Sequence, residues 1–518
     1  MPFRYQILTI MKFNLLKRKT KQTTNYQGAK AWTLTPELEL YTAVVTASLT
    51  NKFYEKEGKR LTRIKHLIGQ CDPTFVAKLA IYTREKMYLR SIPIVLVAEL
   101  AKIHSGDSLI KNTVARVVKR ADEITELLAY YQFANDRKYN KKLNKLSKQI
   151  QKGLGAAFNN FDEYQFAKYN RAGEVTLKDA LFLVHPKAKD NVQQAIFDKI
   201  VKDTLTTPYT WEVELSKVGQ ESYDSDAAKA RAFTAKWEEL IDSGRLGYMA
   251  LMRNLRNILQ ADVSADHIKK VAATLADEKK ISRAKQLPFR YLSAYRELDA
   301  LKLPYVNFLM DALETAVQVS VENIKGFDLS TKVVLASDVS GSMYSQISKN
   351  SKIQNYDIGL VLSMLLRNRS KNVFTGIFGD RWEMMNLPAS NILANTMKLR
   401  KMEGRVGYST NGYKVIDDLV IRRLKVDKVM FFTDLQMWDS RNDGNSLQKS
   451  WSQYTNTIAP NAKLYLFDLA GYGQSPISIP HRGVHLIAGW SNKIFEVLEA
   501  MEKGGDAISE INKITIVK

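Results

Sequence analysis

From about Thr35 to Glu322, apolar residues recur three and four positions apart, with few β-branched runs between them. That spacing predicts a long succession of amphipathic helices. Pro36-Glu-Leu-Glu-Leu-Tyr-Thr-Ala-Val-Val is the first, with Thr35 as its N-cap and Pro36 in its first turn. Phe75 to Lys86, Pro93 to Ile103 and Asn112 to Tyr131 read as further helices. Short polar joints separate them and no strand pattern intervenes. An all-α array is expected, with helical pairs stacked as a solenoid, although no crisp period marks the repeats.

After Gly326 the period changes. Lys332-Val-Val-Leu-Ala-Ser, Asn372-Val-Phe-Thr-Gly-Ile-Phe, Lys428-Val-Met-Phe-Phe-Thr and Ala462-Lys-Leu-Tyr-Leu-Phe read as short buried strands. Tyr356 to Arg367, Ala389 to Lys401 and Gly412 to Leu424 read as the helices between them. Strands alternating with helices imply a doubly wound, Rossmann-like, mostly parallel sheet, whose ligands sit at the carboxyl edge of the strands.

Candidate chemistry falls at that edge. Asp338, Ser340 and Ser342 follow the strand Val333–Ala336, and Gly341 is expected to permit the tight turn that returns both hydroxyls toward the carboxylate. Thr433-Asp434 closes the strand Val429–Phe432, and Thr410 stands in a loop before a helix. Two serines with carboxylates, reached directly or through water, suit a hard cation such as Mg2+. A D-x-S-x-S alone can also be polar capping of a helix after Val339. With the threonine and second aspartate in strand–helix order, the constellation resembles the metal-ion-dependent adhesion site of von Willebrand A domains. That resemblance implies Asp338, Ser340, Ser342, Thr410 and Asp434 as ligands of a divalent metal, with one coordination position open to a partner's acidic group.

Charge changes the picture next. Seventy-seven Lys and Arg against fifty-four Asp and Glu leave +23, with a pI near 9.6. Such a field attracts polyanions, of which nucleic acid is the commonest a soluble protein meets. Cys71 is the single cysteine, which excludes an intramolecular disulfide or a cysteine zinc site and fits a reducing compartment. The longest apolar stretch, Ile92 to Leu100, contains Pro93 and Glu99 and is too short to span a bilayer. Residues 3–16 are interrupted by Arg4, Lys12 and Asn14, so no signal peptide is read, and Met11 is a second candidate start. A cytoplasmic protein without a membrane partner is expected.

Three segments of the helical part carry a second resemblance. They are Lys168-Tyr-Asn-Arg-Ala-Gly-Glu-Val-Thr-Leu-Lys-Asp-Ala-Leu-Phe-Leu-Val-His-Pro, Arg245-Leu-Gly-Tyr-Met-Ala-Leu-Met-Arg-Asn-Leu-Arg-Asn and Ser282-Arg-Ala-Lys-Gln-Leu-Pro-Phe-Arg-Tyr-Leu-Ser-Ala-Tyr. In this order, over roughly residues 30–325, they resemble the TROVE module of the Ro autoantigens, which is followed in that family by a von Willebrand A domain. The resemblance implies a HEAT-like helical-repeat ring, monomeric and closed by the A domain. It also implies Y-like small noncoding RNA on the outer rim, single-stranded or misfolded RNA ends in a basic hole, and, in bacteria, an exoribonuclease partner. The expected division is a basic N-terminal extension (1–28), the helical module (29–326) and the A-type domain (327–518).

The residues give partial support of their own. Between Arg137 and Lys152 stand Lys138, Lys141, Lys142, Lys145, Lys148 and Lys152, with Leu143, Leu146 and Ile150 at three- and four-residue spacing. On a helix this is a lysine face opposite an apolar one, either merely solvated or set against phosphates. Lys168 and His185 match basic positions that the family is understood to use at the hole; a third falls on Ala172, with Arg171 one residue earlier. His185 can equally be a locally satisfied helix end before Pro186, and Arg253 and Arg256 can pack as well as touch RNA. No phosphate loop, dinucleotide fingerprint, Ser-His-Asp or Cys-His arrangement is found, so a binding protein rather than an enzyme is expected. Two competing readings remain open: an A-domain scaffold or adhesion protein for acidic ligands, and a chelatase-like subunit working beside an ATPase.

Overall fold

The computed structural model describes residues 20–47, 57–135, 146–320, 327–348, 351–479, 481 and 483–517, and its helices give way to a sheet where the hydrophobic period changes. Eighteen helices precede Ser320 among the described residues. Thr35 caps the first, Pro36–Val45, its Oγ1 accepting the Leu38 N–H at 3.3 Å. Asp72 caps Pro73–Glu85 by accepting the N–H groups of Thr74 (2.8 Å) and Phe75 (3.1 Å).

The stretch expected as one helix from Asn112 to Tyr131 is two, Leu109–Val117 and Asp122–Ala134. Glu123 accounts for the break. Its Oε2 accepts the N–H groups of Lys119 (2.8 Å) and Arg120 (3.1 Å), which a continuous helix would need for its own ladder. Farther on, Lys138, Lys141, Lys142 and Lys145 lie outside the described residues, and the helix containing Lys148 begins at that residue and ends at Phe158.

Among the described residues, nine strands form two sheets. β1 (Gln22–Thr24), β2 (Lys30–Thr33) and β8 (Gln474–Ser475) make a small antiparallel sheet in the order β1-β2-β8. The larger sheet comprises β3 (Lys332–Asp338), β4 (Asn372–Phe378), β5 (Trp382–Met385), β6 (Lys428–Thr433), β7 (Lys463–Asp468) and β9 (Val484–Ala488). Its order is β5-β4-β3-β6-β7-β9, parallel except at β5. Successive side chains alternate between two apolar layers. Val334, Ala336, Val429, Phe431 and Leu466 pack with Val415, Ile416 and Trp451 on one face. Val333, Leu335, Met430, Phe432 and Phe467 pack with Leu360 and Leu365 on the other, in an apolar core that continues into the helical module.

Both ends of the helical series dock on this α/β domain. At the start, the Tyr41 hydroxyl donates to the Ala488 carbonyl (3.0 Å), and buried Arg60 donates to the carbonyls of Thr46 and Ala470. Gly471 (φ +65°) lies so close that a Cβ there would collide with the Thr46 hydroxyl and the Thr42 carbonyl. At the end, Arg296 of the helix Pro288–Asp299 grips buried Asp357 with both terminal nitrogens, and Arg400 joins the same carboxylate. Glu314 accepts the N–H groups of Leu393 (3.1 Å) and Ala394 (2.8 Å), capping a helix of the α/β domain from the helical module. The chain therefore closes on itself through the sheet domain. Among the described residues, no helix is long and apolar enough to cross a membrane.

Candidate metal centre and nucleic-acid interface

β3 is flanked by β4 on one side and β6 on the other, so the chain order reverses between β3 and β6. A crevice opens at the carboxyl edge of such a switch point. Asp338 ends β3, and Asp434 follows β6. Asp338 Oδ1 accepts the Ser340 N–H (2.9 Å) and Oδ2 accepts the Thr433 hydroxyl (2.6 Å). Ser340 Oγ and Ser342 Oγ stand 3.3 Å apart. Asp434 Oδ1 accepts the Gln436 N–H at 3.0 Å.

Two backbone bonds bring the Thr410 loop into the group. Gly341 N–H donates to the Tyr408 carbonyl (3.0 Å), and Trp438 N–H donates to the Thr410 carbonyl (3.1 Å). All five expected residues are thus gathered at one edge, and all are buried. The turn itself differs from expectation. Gly341 does not occupy the left-handed region, and a Cβ there would meet only the Tyr408 carbonyl at 4.0 Å, so the short 3-10 turn Gly341–Tyr344 does not require glycine.

Burial raises the Asp338 carboxyl well above its usual range, and the charge of Asp434 raises it further. Two buried like-charged carboxylates beside three hydroxyls are a hard-oxygen set that a divalent cation would relieve, so these residues fit Mg2+. Among the described residues, no group of three or more His, Cys, Asp or Glu is disposed to hold a metal, so any ion here leans on the hydroxyls. A third carboxylate escaped the sequence reading. Asp468 ends β7 fully buried, its Oδ1 accepting the N–H groups of Ala470 (3.0 Å) and Gly471 (2.7 Å). Burial pushes it up to about 6, the Asp434 charge adding to the shift and Arg60 opposing it. Its signal was an aspartate closing a strand, as in Thr433-Asp434.

The basic candidates flank one short helix, Leu177–Val184, along the chain. Lys168 ends the preceding helix, Glu163–Tyr169, and is exposed, as is Arg171. Its ammonium lies 5.6 Å from the ring centre of Tyr164 and 5.9 Å from that of Tyr169. Glu163 does not neutralise it. That carboxylate is engaged by Lys199 (2.7 Å) and by the N–H and hydroxyl of Thr206, which hold its pKa down at about 2.

His185 caps the far end of Leu177–Val184 in the left-handed conformation (φ 49°), its N–H donating to the Leu181 carbonyl and its side chain exposed. The helix itself, from Leu177 to Val184, is roughly 12 Å long. Lys148 joins the His185 end: it reaches Gln151 (3.5 Å), whose amide donates to the Leu183 carbonyl (3.3 Å). Tyr164 and Phe182, both exposed aromatic rings in this neighbourhood, were missed because a lone aromatic in a helical pattern reads as core. Arg253 and Arg256 are exposed rather than packed inside, and Arg256 pairs with Glu297 at 3.1 Å.

Together these observations define a helical-repeat module closed by a mixed, mostly parallel sheet domain. A family model described as the TROVE domain matches residues 19–236 and 204–307. The chain belongs to the TROVE-domain family. It is similar to the Telomerase protein component 1 of Mus musculus, 24% identical over 332 residues, covering 50% of this chain and 12% of that protein. The Telomerase protein component 1 of Rattus norvegicus is likewise 24% identical over 303 residues, 45% of this chain and 11% of that one. This chain thus spans about an eighth of the length of those relatives. Among solved structures, the Deinococcus radiodurans RO (RSR) protein superposes with a TM-score of 0.57 at 17% identity, covering 89% of this chain and 99% of its own.

Proposed function

We propose that this chain is an RNA-binding protein of a small noncoding-RNA ribonucleoprotein. It holds structured, Y-like RNA on its outer surface and single-stranded or misfolded RNA ends in a basic central hole, and it serves RNA quality control or decay. The observation that carries the reading is the exposed basic group at Lys168, Arg171, Lys148 and His185. Among the described residues none of the four has a carboxylate partner, and the exposed Tyr164 ring lies beside the Lys168 ammonium. Solvated cations next to open aromatic faces suit phosphates and unstacked bases together.

In this reading the protein binds rather than catalyses, acts in the cytoplasm as a monomeric ring, and passes RNA ends to an exoribonuclease. Its parts are the extension 1–28, the helical module 29–326 and the A-type domain 327–518, with Lys138, Lys141, Lys142 and Lys145 adding charge to the RNA surface. Asp338, Ser340, Ser342, Thr410 and Asp434 would hold Mg2+. Bound there, the ion would offer a Lewis-acidic position to a partner's carboxylate. The residues' own part is to fix that geometry: Thr433 and the Ser340 N–H lock Asp338, and the Gly341 and Trp438 N–H groups lock the Thr410 loop.

The test is binding of a fluorescent single-stranded RNA and of a structured small RNA to the full chain at low salt. K168A with H185A is expected to weaken the single-stranded ligand roughly tenfold while the melting temperature holds, because exposed side chains carry little stability. An unaltered protein that binds neither RNA at low salt would sink the reading. Crosslinking in cells, with sequencing of the attached RNA, identifies the natural ligand.

A further inference from the structure

A second basic feature lies elsewhere, where the helical module meets the α/β domain. Arg253 ends the helix Tyr248–Arg253, Arg256 lies on Leu255–Gln260, and Arg290 lies on Pro288–Asp299. Together with Lys352 of the α/β domain, they line a cleft of about 430 Å³. Among the described residues Glu297 is the one acid on its wall, bonded to Arg256 (3.1 Å) and to Lys352 (3.0 Å). Four cations against one carboxylate leave the lining with a surplus of three.

Arg253 and Arg290 have no carboxylate partner among the described residues, and they repel each other. The Arg290 guanidinium is held below its usual pKa by partial burial and then by the Arg253 charge. Facing guanidiniums of this kind are unfavourable unless an anion fills the space between them. The cleft cannot yield by hinging, because the residue beside Glu297 is Arg296, bound to buried Asp357 of the α/β domain. Its remaining wall is Met249, Met252, Leu255, Ser293 and Ala294. Among the described residues, the lining holds no aromatic ring to stack a base.

We infer that this cleft is a phosphodiester-binding site, a second hold on the RNA backbone at the joint between the two modules. The inference rests on the RNA-binding reading above and adds a surface to which the α/β domain itself contributes. Fork-shaped guanidiniums match phosphate oxygens two at a time. A wall without rings makes the contact independent of sequence. Lys352, 85% exposed, stays mobile enough to follow the strand once Glu297 releases it.

The test is the salt dependence of binding of a fluorescent oligouridylate to the full chain. R253A with R290A is expected to lower the slope of log K against log salt by about 1.4, two contacts at about 0.7 each. E297Q removes the only negative charge and is expected to tighten binding about threefold, an effect that a purely structural role for Glu297 would reverse. An unchanged slope in R253A/R290A overturns the inference, as does weaker or unaltered binding in E297Q. Should R253A/R290A fail to fold, E297Q decides, since Glu297 is on the surface. Full displacement of the RNA by inorganic phosphate at matched ionic strength would assign the cleft to a free anion and also overturn it. If the unaltered protein binds RNA and K168A/H185A weakens it while R253A/R290A does not, only the cleft fails; if the unaltered protein binds none, the parent reading fails.

Discussion

The carboxyl edge of the sheet and the basic surface around Leu177–Val184 handle charge in opposite ways. At the edge, Asp338, Ser340, Ser342, Thr410 and Asp434 are buried, and the loops carrying them are pinned by named hydrogen bonds. Around the helix, Lys168, Arg171 and His185 are exposed and reach solvent with few contacts. A small hard ion gains from donors already in place, since a rigid octahedral set is costly to assemble on demand. A polyanion with many registers gains from charges that can move. On the proposed reading, stiffness serves the ion and freedom serves the RNA.

The largest effect that would break this comparison concerns the metal. Added Mg2+ is expected to raise the melting temperature of the unaltered chain, by the equivalent of about 2.7 kcal/mol at a hundredfold excess over its dissociation constant. D338A and D434A should abolish that response while leaving RNA affinity unchanged. Thermal melts with and without Mg2+ or a chelator measure the first, and RNA titration the second. A Mg2+ response that survives in both variants would show that the five residues are only a polar loop junction. Loss of RNA affinity in D338A would show that the two regions are not independent.

How far each region was legible in the sequence follows the same division. Central strands buried on both faces produce unbroken apolar runs, and β4 and β6 begin and end at the residues that the pattern marked. The edge strands β5 and β9 were missed: β5 is half-buried along its length, and His485 interrupts the apolar run of β9. The pairing of β2 with β8 was also unreadable, because partners some 440 residues apart leave no local pattern. The clustering of Asp338, Ser340, Ser342, Thr410 and Asp434 was readable because it combines a fixed local spacing with strand ends. Asp468 was lost when the strand was ended one residue early. The basic surface could be read only as charge, since nothing in a sequence shows that Lys148 reaches, through Gln151, the last turn of the helix that His185 caps.

That arrangement gives the next prediction. K168A/R171A removes the basic residues that precede Leu177–Val184 in the chain and K148A/H185A those at its last turn, so each pair should lower the salt slope for single-stranded RNA by up to about 1.4. If one strand passes along the whole helix, the two pairs should act additively. If either pair alone removes all of the effect, the RNA uses one end. The N-terminal hairpin offers a check on the rigid side. Asn25 is buried and donates to the Met437 carbonyl (2.7 Å), and Tyr26 N–H donates to Gln436 (2.9 Å), steadying the loop after Asp434. N25A should cost about 1 kcal/mol in chemical denaturation. It should also reduce the Mg2+ response, and an unaltered response would separate the hairpin from the metal loop.

The smallest effect tests whether the mobile side is more than charge. Tyr164 is exposed, its hydroxyl donates to the Tyr209 carbonyl at 3.4 Å, and its ring lies under the Lys168 ammonium. A cation over an exposed ring contributes about 0.5–1 kcal/mol, so Y164A costs little in stability if that is the ring's only role. A base stacked on the same ring contributes about 1–3 kcal/mol to binding. The two roles separate by substitution and by ligand. Y164F keeps the ring and loses only a weak hydroxyl contact, so it should bind RNA as the unaltered chain does. Y164A should weaken single-stranded RNA about fivefold or more if bases stack there, and it should leave the salt slope unchanged, because no phosphate contact is removed. A fall in slope would instead mean that the ring serves to hold Lys168 in place, and the aromatic contribution to this surface would then be one of positioning.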